Sequence, residues 1–93
     1  MAHPVLKIHI TSGFERSYHK LPSLIQKLAE RKDQWFRINA FDPRLHTHKL
    51  KGFLEGYWSY SINYEYRILF RFINNDEALY YDIGTHDIYR ERL

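Results

Sequence analysis

Between Arg44 and Lys51 the chain gathers Arg44, His46, His48, Lys49 and Lys51 without one carboxylate. Glu65, Arg67 and Arg71 follow, and His86 stands near the end. Such clustering suits a polyanionic partner, a nucleic acid or an acidic protein. A solvated basic loop is the plainer use of the same residues. There is no cysteine, so neither a disulfide framework nor a thiolate metal site is available. His46 and His48 would share one face of a strand, but zinc sites need further ligands at helical or knuckle spacing. We therefore expect no metal and no other cofactor. No phosphate-binding glycine loop and no Ser/His/Asp order is present. The remaining types, His, Arg, Lys, Glu and Tyr near strand ends, fit cleavage of RNA without a metal. A base takes the proton of the ribose 2′-OH, which attacks the adjacent phosphate, and an acid protonates the leaving oxygen. Cations stabilise the charge growing on the phosphoryl oxygens, Arg in a bidentate fashion and Lys as a point charge. Aromatic rings hold splayed bases. Each residue also has a structural use: Arg67 or Arg71 could pair with Glu65, His86 could cap a turn, and Tyr60, Tyr64, Tyr80 and Tyr81 could pack in the core or its rim.

The elements that must carry these residues follow from periodicity. With 93 residues, 44% of them hydrophobic and 17% aromatic, the chain is expected to form one domain over 1–93 with one modest core. No apolar run nears the roughly 20 residues that span a bilayer, and the N-terminus does not read as a signal peptide. The cytoplasm is the default expectation. Val5 to Ile10 alternates as a first strand. Ser12 and Glu15 fit a capping box, and Phe14, Tyr18 and Leu21 share one face of a short helix. Pro22 opens a second helix, in which Leu24, Ile25, Leu28, Ala29, Lys32, Trp35 and Phe36 recur at helical spacing, all apolar but Lys32. Asp42-Pro43 marks a loop. Trp58 to Tyr64 alternates as a strand, Tyr66 to Ile73 as the next, and Asn74-Asn75-Asp76 turns into a third over Ala78 to Ile83. Thr85 to Leu93 reads as a polar tail. The order is β-α-α-β-β-β: an α+β fold, a curved antiparallel sheet with two N-terminal helices on one face. Tyr66, Ile68, Phe70 and Phe72, or their opposite-face neighbours, are predicted to meet Leu24, Ile25 and Leu28.

Four segments in order carry a resemblance: Arg44-Leu45-His46-Thr47-His48-Lys49-Leu50-Lys51-Gly52, Gly56-Tyr57-Trp58-Ser59, Tyr66-Arg67-Ile68-Leu69-Phe70 and Ile83-Gly84-Thr85-His86-Asp87. Together they resemble the RelE/ParE toxin superfamily. The His-x-Leu-x-Gly element and the closing Gly-Thr-His resemble its YafQ-like mRNA interferases. The likeness covers most of the chain and is densest over residues 44–89. It implies the toxin of a type II toxin–antitoxin system, an endoribonuclease that cuts mRNA in the ribosomal A site. Its partners would be the ribosome, mRNA and a cognate antitoxin, expected to be acidic and DNA-binding. By the resemblance His48 is the loop histidine, His86 the C-terminal histidine, Glu65 the active-site carboxylate and Arg67 the phosphate-binding arginine. Tyr89 lies near the C-terminal aromatic, one residue short in spacing. Lys49 and Lys51 resemble the basic residues of the loop; with Arg71, Arg44 and His46 they are the expected RNA contacts. Ser61 stands where the YafQ-like branch has a further histidine. We assign His86 to protonating the leaving 5′-oxygen and His48, with Glu65, to accepting the 2′-OH proton. The ParE branch, which inhibits DNA gyrase, is the alternative, as is a catalytically degenerate antitoxin-binding protein. A gyrase binder has no need of titratable groups at His48 and His86.

Overall fold

Thr11 is where the chain stops being a strand. Its backbone is still extended (φ −84°, ψ 162°), and its hydroxyl accepts the Phe14 amide at 2.9 Å, capping the helix that follows. The same hydroxyl donates to the Tyr81 carbonyl at 2.8 Å. The cap therefore sits one residue before the expected Ser12, because only a residue still alongside the sheet can also reach the neighbouring strand. The computed structural model describes residues 2–90. In chain order they form β1 (Lys7–Ile10), α1 (Ser12–His19), α2 (Ser23–Ile38), β2 (His48–Lys49), β3 (Trp58–Ser61), β4 (Arg67–Asn74), β5 (Glu77–Gly84) and α3 (Asp87–Arg90). Single 3₁₀ turns at Pro43–Leu45 and Gly52–Leu54 flank β2. No helix among the described residues is long and apolar enough to cross a membrane.

The sheet runs in the order β1-β5-β4-β3-β2. Strands β2 to β5 are the expected antiparallel meander. The sheet as a whole is mixed, because β1 joins β5 in parallel, with Lys7 opposite Glu77 and Ile10 opposite Tyr80. The two helices carry the chain from β1 to the far edge, so the meander returns beside β1 in the same direction. β2 was not foreseen: two residues cannot display a period of two. Within the expected polar tail, residues 87–90 form α3, while 91–93 lie outside the described residues.

The core lies between the helices and one face of the sheet. Phe36 of α2 is fully buried, 4.8 Å from the rings of both Tyr60 and Phe70. Ile68, Ala78, Tyr80 and Ile83 share that face. Ile25 and Leu28 are partly buried, but Leu24 is 75% exposed and does not join the sheet as expected. It lies five positions from the buried Ala29, a rotation of about 140° around the helix. On the opposite face, Ser59, Leu69 and Asp82 stand in register and are buried. Ile88 of α3 is buried too, against Gly84.

Candidate active site

The site grows from the end of β4. Arg67 is the first residue of that strand, opposite Ser61 on β3 and Gly84 on β5. Its guanidinium is held on three sides. Nη1 donates to the Ser61 hydroxyl at 2.6 Å, Nη2 to the Tyr64 carbonyl at 3.5 Å, and Nε to Nε2 of His86 at 3.3 Å. An arginine N–H can only donate, so Nε2 of His86 must be the acceptor and the neutral ring carries its proton on Nδ1. His86 precedes α3, and its ring meets Tyr89 edge-on with centroids 5.9 Å apart. The Tyr89 hydroxyl is tied to the Ser59 hydroxyl at 2.8 Å. These contacts fix the imidazole from both sides although His86 itself is exposed.

Across the cleft, the 3₁₀ turn after Asp42 delivers the second group. His46 adopts the left-handed conformation (φ 53°), which histidine enters more readily than most residues. Its carbonyl accepts the Nδ1–H of His48 at 2.9 Å. A carbonyl has no proton to give, so His48 in its neutral form presents a free lone pair on Nε2. In their neutral forms both histidines thus carry the ring proton on Nδ1, with Nε2 of His48 left to accept and Nε2 of His86 occupied by Arg67.

Between them is an open cleft of about 570 Å³, lined by Arg67, His86, Tyr89, His46, His48 and Arg44, with Ser61, Ile62, Asn63, Tyr64 and Lys32 completing the wall. No carboxylate is among these residues. Arg44 is not a loose cation. It makes a two-pronged contact with Asp42, Nε to Oδ1 at 3.0 Å and Nη2 to Oδ2 at 2.8 Å, and lies 3.6 Å over the Trp35 ring. The hydrogen bonds from Arg44 hold the Asp42 carboxyl down at about 2. Lys32 lies 4.0 Å over the same indole. Its pKa is lowered, first by desolvation and then by the charges of Arg44 and Arg31. Lys32 escaped the sequence reading as a site residue, yet it left a signal: it is the polar member of the otherwise apolar stripe on α2.

Other expected site residues lie elsewhere. Glu65 is exposed on the β3–β4 turn and lines a neighbouring depression of about 260 Å³ that shares Arg67 and His86 but not His48. Lys49 and Lys51 line a third hollow with Tyr57 and Trp58, and Lys49 sits 5.6 Å from the Trp58 ring. Arg71 is exposed on the sheet face away from the helices, 5.6 Å from the Tyr57 ring. Among the described residues no three His, Asp or Glu side chains converge as a metal ion requires.

This fold is shared with solved structures of RelE/ParE-type toxins. The YoeB/ParE toxin from Agrobacterium tumefaciens superposes with a TM-score of 0.74 at 19% identity, over 87% of this chain and 99% of that one. The toxin–antitoxin complex RelBE2 from Mycobacterium tuberculosis gives 0.71 at 20% identity, over 92% and 94% of the two chains. YafQ from E. coli gives 0.68 at 13%, over 88% and 94%. At these identities the likeness is one of fold, shared across the YoeB, RelE and YafQ structures alike. The sequence itself matches no family model and no curated protein.

Proposed function

We propose that this chain is the toxin of a type II toxin–antitoxin system, a metal-independent endoribonuclease that cuts mRNA on the ribosome in the cytoplasm. The observation that carries this reading is the cleft without carboxylates in which Arg67, His86 and His48 converge. The fold shared with toxin structures supports it. A phosphate seated at Arg67 would take the remaining N–H of each terminal nitrogen. Nε2 of His48 accepts the 2′-OH proton, O2′ bonds to phosphorus, and the bond from phosphorus to O5′ breaks. His86 acts as the imidazolium, in which Nε2 carries a proton and no longer accepts from Arg67. It delivers that proton to O5′ and returns to the neutral ring, and the product is a 2′,3′-cyclic phosphate. Tyr89, whose hydroxyl is bound to Ser59, acts by orienting His86. Ser61, where the YafQ-like branch has a histidine, keeps Arg67 aimed. Glu65 lines the neighbouring depression and not the cleft with His48, so in this scheme the base works without it. An acidic antitoxin would neutralise the protein by covering this basic surface.

Single-turnover cleavage on programmed ribosomes tests the scheme. His86→Ala and His48→Ala are each expected to lower the rate by roughly 100-fold or more. The wild-type rate is expected to be bell-shaped in pH, with His48→Ala erasing the acidic limb and His86→Ala the alkaline limb. Cleavage should continue in excess EDTA. Wild-type rates in both variants would remove the acid–base assignment. No cleavage at all, together with inhibition of DNA gyrase supercoiling, would replace the ribonuclease by the ParE-like reading.

A further inference from the structure

Tyr64 stands apart from the other tyrosines. It is 92% exposed, at the tip of the turn between β3 and β4, and its ring has no partner among the described residues. A single exposed ring is ordinary by itself; what sets Tyr64 apart is where the ring is held. The turn beneath it is rigid by construction. The Asn63 carboxamide oxygen accepts the amides of Glu65 at 2.9 Å and Tyr66 at 2.8 Å, and the Ile62 amide donates to the Tyr66 carbonyl at 2.8 Å. Tyr64 itself contributes only its carbonyl, to Arg67. The ring is therefore carried by a fixed backbone at no cost to the fold. Its place is equally specific. Tyr64 lines both the main cleft and the neighbouring depression, and Arg67 and His86 line both as well. Phe53 is comparably exposed, at 85%, but does not line the cleft. Tyr89, the other aromatic of the cleft wall, already has its hydroxyl and ring engaged.

We infer that Tyr64 is a stacking platform for an unpaired nucleobase of the RNA, the base next to the phosphate held by Arg67. Single-stranded RNA is gripped through phosphates and through π-faces, and every base offers a π-face. An arginine fixed beside an uncovered aromatic ring supplies both. The ring sets how tightly RNA is held. It takes no part in proton transfer.

The inference rests on the ribonuclease reading, and one experiment separates the two. Single-turnover cleavage of RNA on programmed ribosomes is measured for wild type, Tyr64→Ala, Tyr64→Phe and Tyr64→Trp. Tyr64→Ala is expected to raise the half-saturating concentration about 10-fold, the usual scale for one lost stack. The maximal rate and its pH profile should be little changed, and the thermal midpoint unaltered. Phe and Trp should restore binding, because stacking needs a ring and not a hydroxyl. RNAs with a single abasic site on either side of the cut complete the cycle. At one of the two positions, removing the base should weaken wild type to the level of Tyr64→Ala and leave Tyr64→Ala unaffected. If wild type cuts and Tyr64→Ala binds equally well, or its defect is the same on both abasic RNAs, the stacking role falls and the ribonuclease stands. If wild type cuts no RNA, both fall.

Discussion

Arg67 has five N–H donors and commits three of them within the protein, to Ser61, Tyr64 and His86. The same economy of direction governs a polar chain inside the core. Tyr80 donates to Oδ1 of Asp33 at 2.6 Å, so its oxygen must accept from Tyr60 at 2.8 Å, and Arg37 donates to Oδ2 of Asp33 at 2.9 Å. Burial pushes the pKa of both tyrosines well up, so both hydroxyls are neutral donors. The chain has a beginning at Tyr60 and an end at Asp33, and its two tyrosines are not equivalent. Tyr80→Phe strands the Tyr60 hydroxyl, which is 0% exposed, and should cost about 1–3 kcal/mol. Tyr60→Phe removes the first donor and strands nothing, so about 0.5–1.5 kcal/mol is expected, and the double variant should cost less than the sum. Denaturant unfolding measures all three; equal costs for the two single variants would contradict the direction of the chain. At this scale the sequence announced types better than places. Few residue types do proton transfer or hold phosphate, and among those present it was the family resemblance that singled out His48, Arg67 and His86. Their separation from Glu65, Lys49, Lys51 and Arg71 depends on which way a turn or a strand face points, and no local spacing states that.

Each element positions the site through one or two contacts, and α3 does so through Gly84. A Cβ built on Gly84 would lie 2.7 Å from Cγ2 of Ile88, whose side chain is itself buried. The glycine is needed for close approach rather than for a turn, because it lets the short helix lie against the end of β5. His86 and Tyr89 flank Ile88 and are placed by the same contact. Gly84→Ala should therefore cost about 1–3 kcal/mol by overpacking and displace α3. Amide shifts should be concentrated in residues 84–90, and the cleavage rate should fall while the part of its pH profile due to His48 persists. Ile88→Ala in the same chain should relieve the clash and return the shifts toward wild type. A silent Gly84→Ala would mean that α3 does not pack on β5 in this way. The central strands were legible because Trp58 to Ser61 and Tyr66 to Ile73 alternate with a period of two, although the first was expected to run on to Tyr64 and ends at Ser61, where the chain turns. The parallel pairing of β1, the two-residue β2 and the fold of α3 were not. Each depends on contacts between distant segments, such as Lys7 with Glu77 or Gly84 with Ile88, that leave no local mark.

On the whole molecule, a net charge of +3 from 14 basic and 11 acidic side chains is too small to drive RNA binding by itself. The arrangement is what matters. Lys32, Arg44 and Arg67 line one cleft together, and no acidic side chain lines it. Their charges are not equally available, however. Arg44 is already neutralised by Asp42, whose carboxyl is held down at about 2. For a carboxylate lowered in this way, the pairing is complete above the ordinary carboxylate range and is lost only as the pH falls toward 2. Near neutral pH it is fully present. Lys32 is the opposite case, desolvated and crowded by like charge, so that a phosphate entering the cleft would relieve it. If Lys32 and Arg67, the cations lining the cleft that have no ion pair among the described residues, each neutralise one phosphate of single-stranded RNA, a plot of log affinity against log salt should have a slope of about −1.4, at about −0.7 per phosphate. Lys32→Ala and Arg67→Ala should each bring that slope about 0.7 closer to zero. Arg44→Ala should change it much less, while Asp42→Asn, which frees the Arg44 guanidinium, should make it steeper. Titrating a fluorescent RNA oligonucleotide against each variant at several salt concentrations measures the slopes. Equal effects of Lys32→Ala and Arg44→Ala would show that the ion pair with Asp42 opens when RNA arrives, and that the cleft meets its substrate with three charges rather than two.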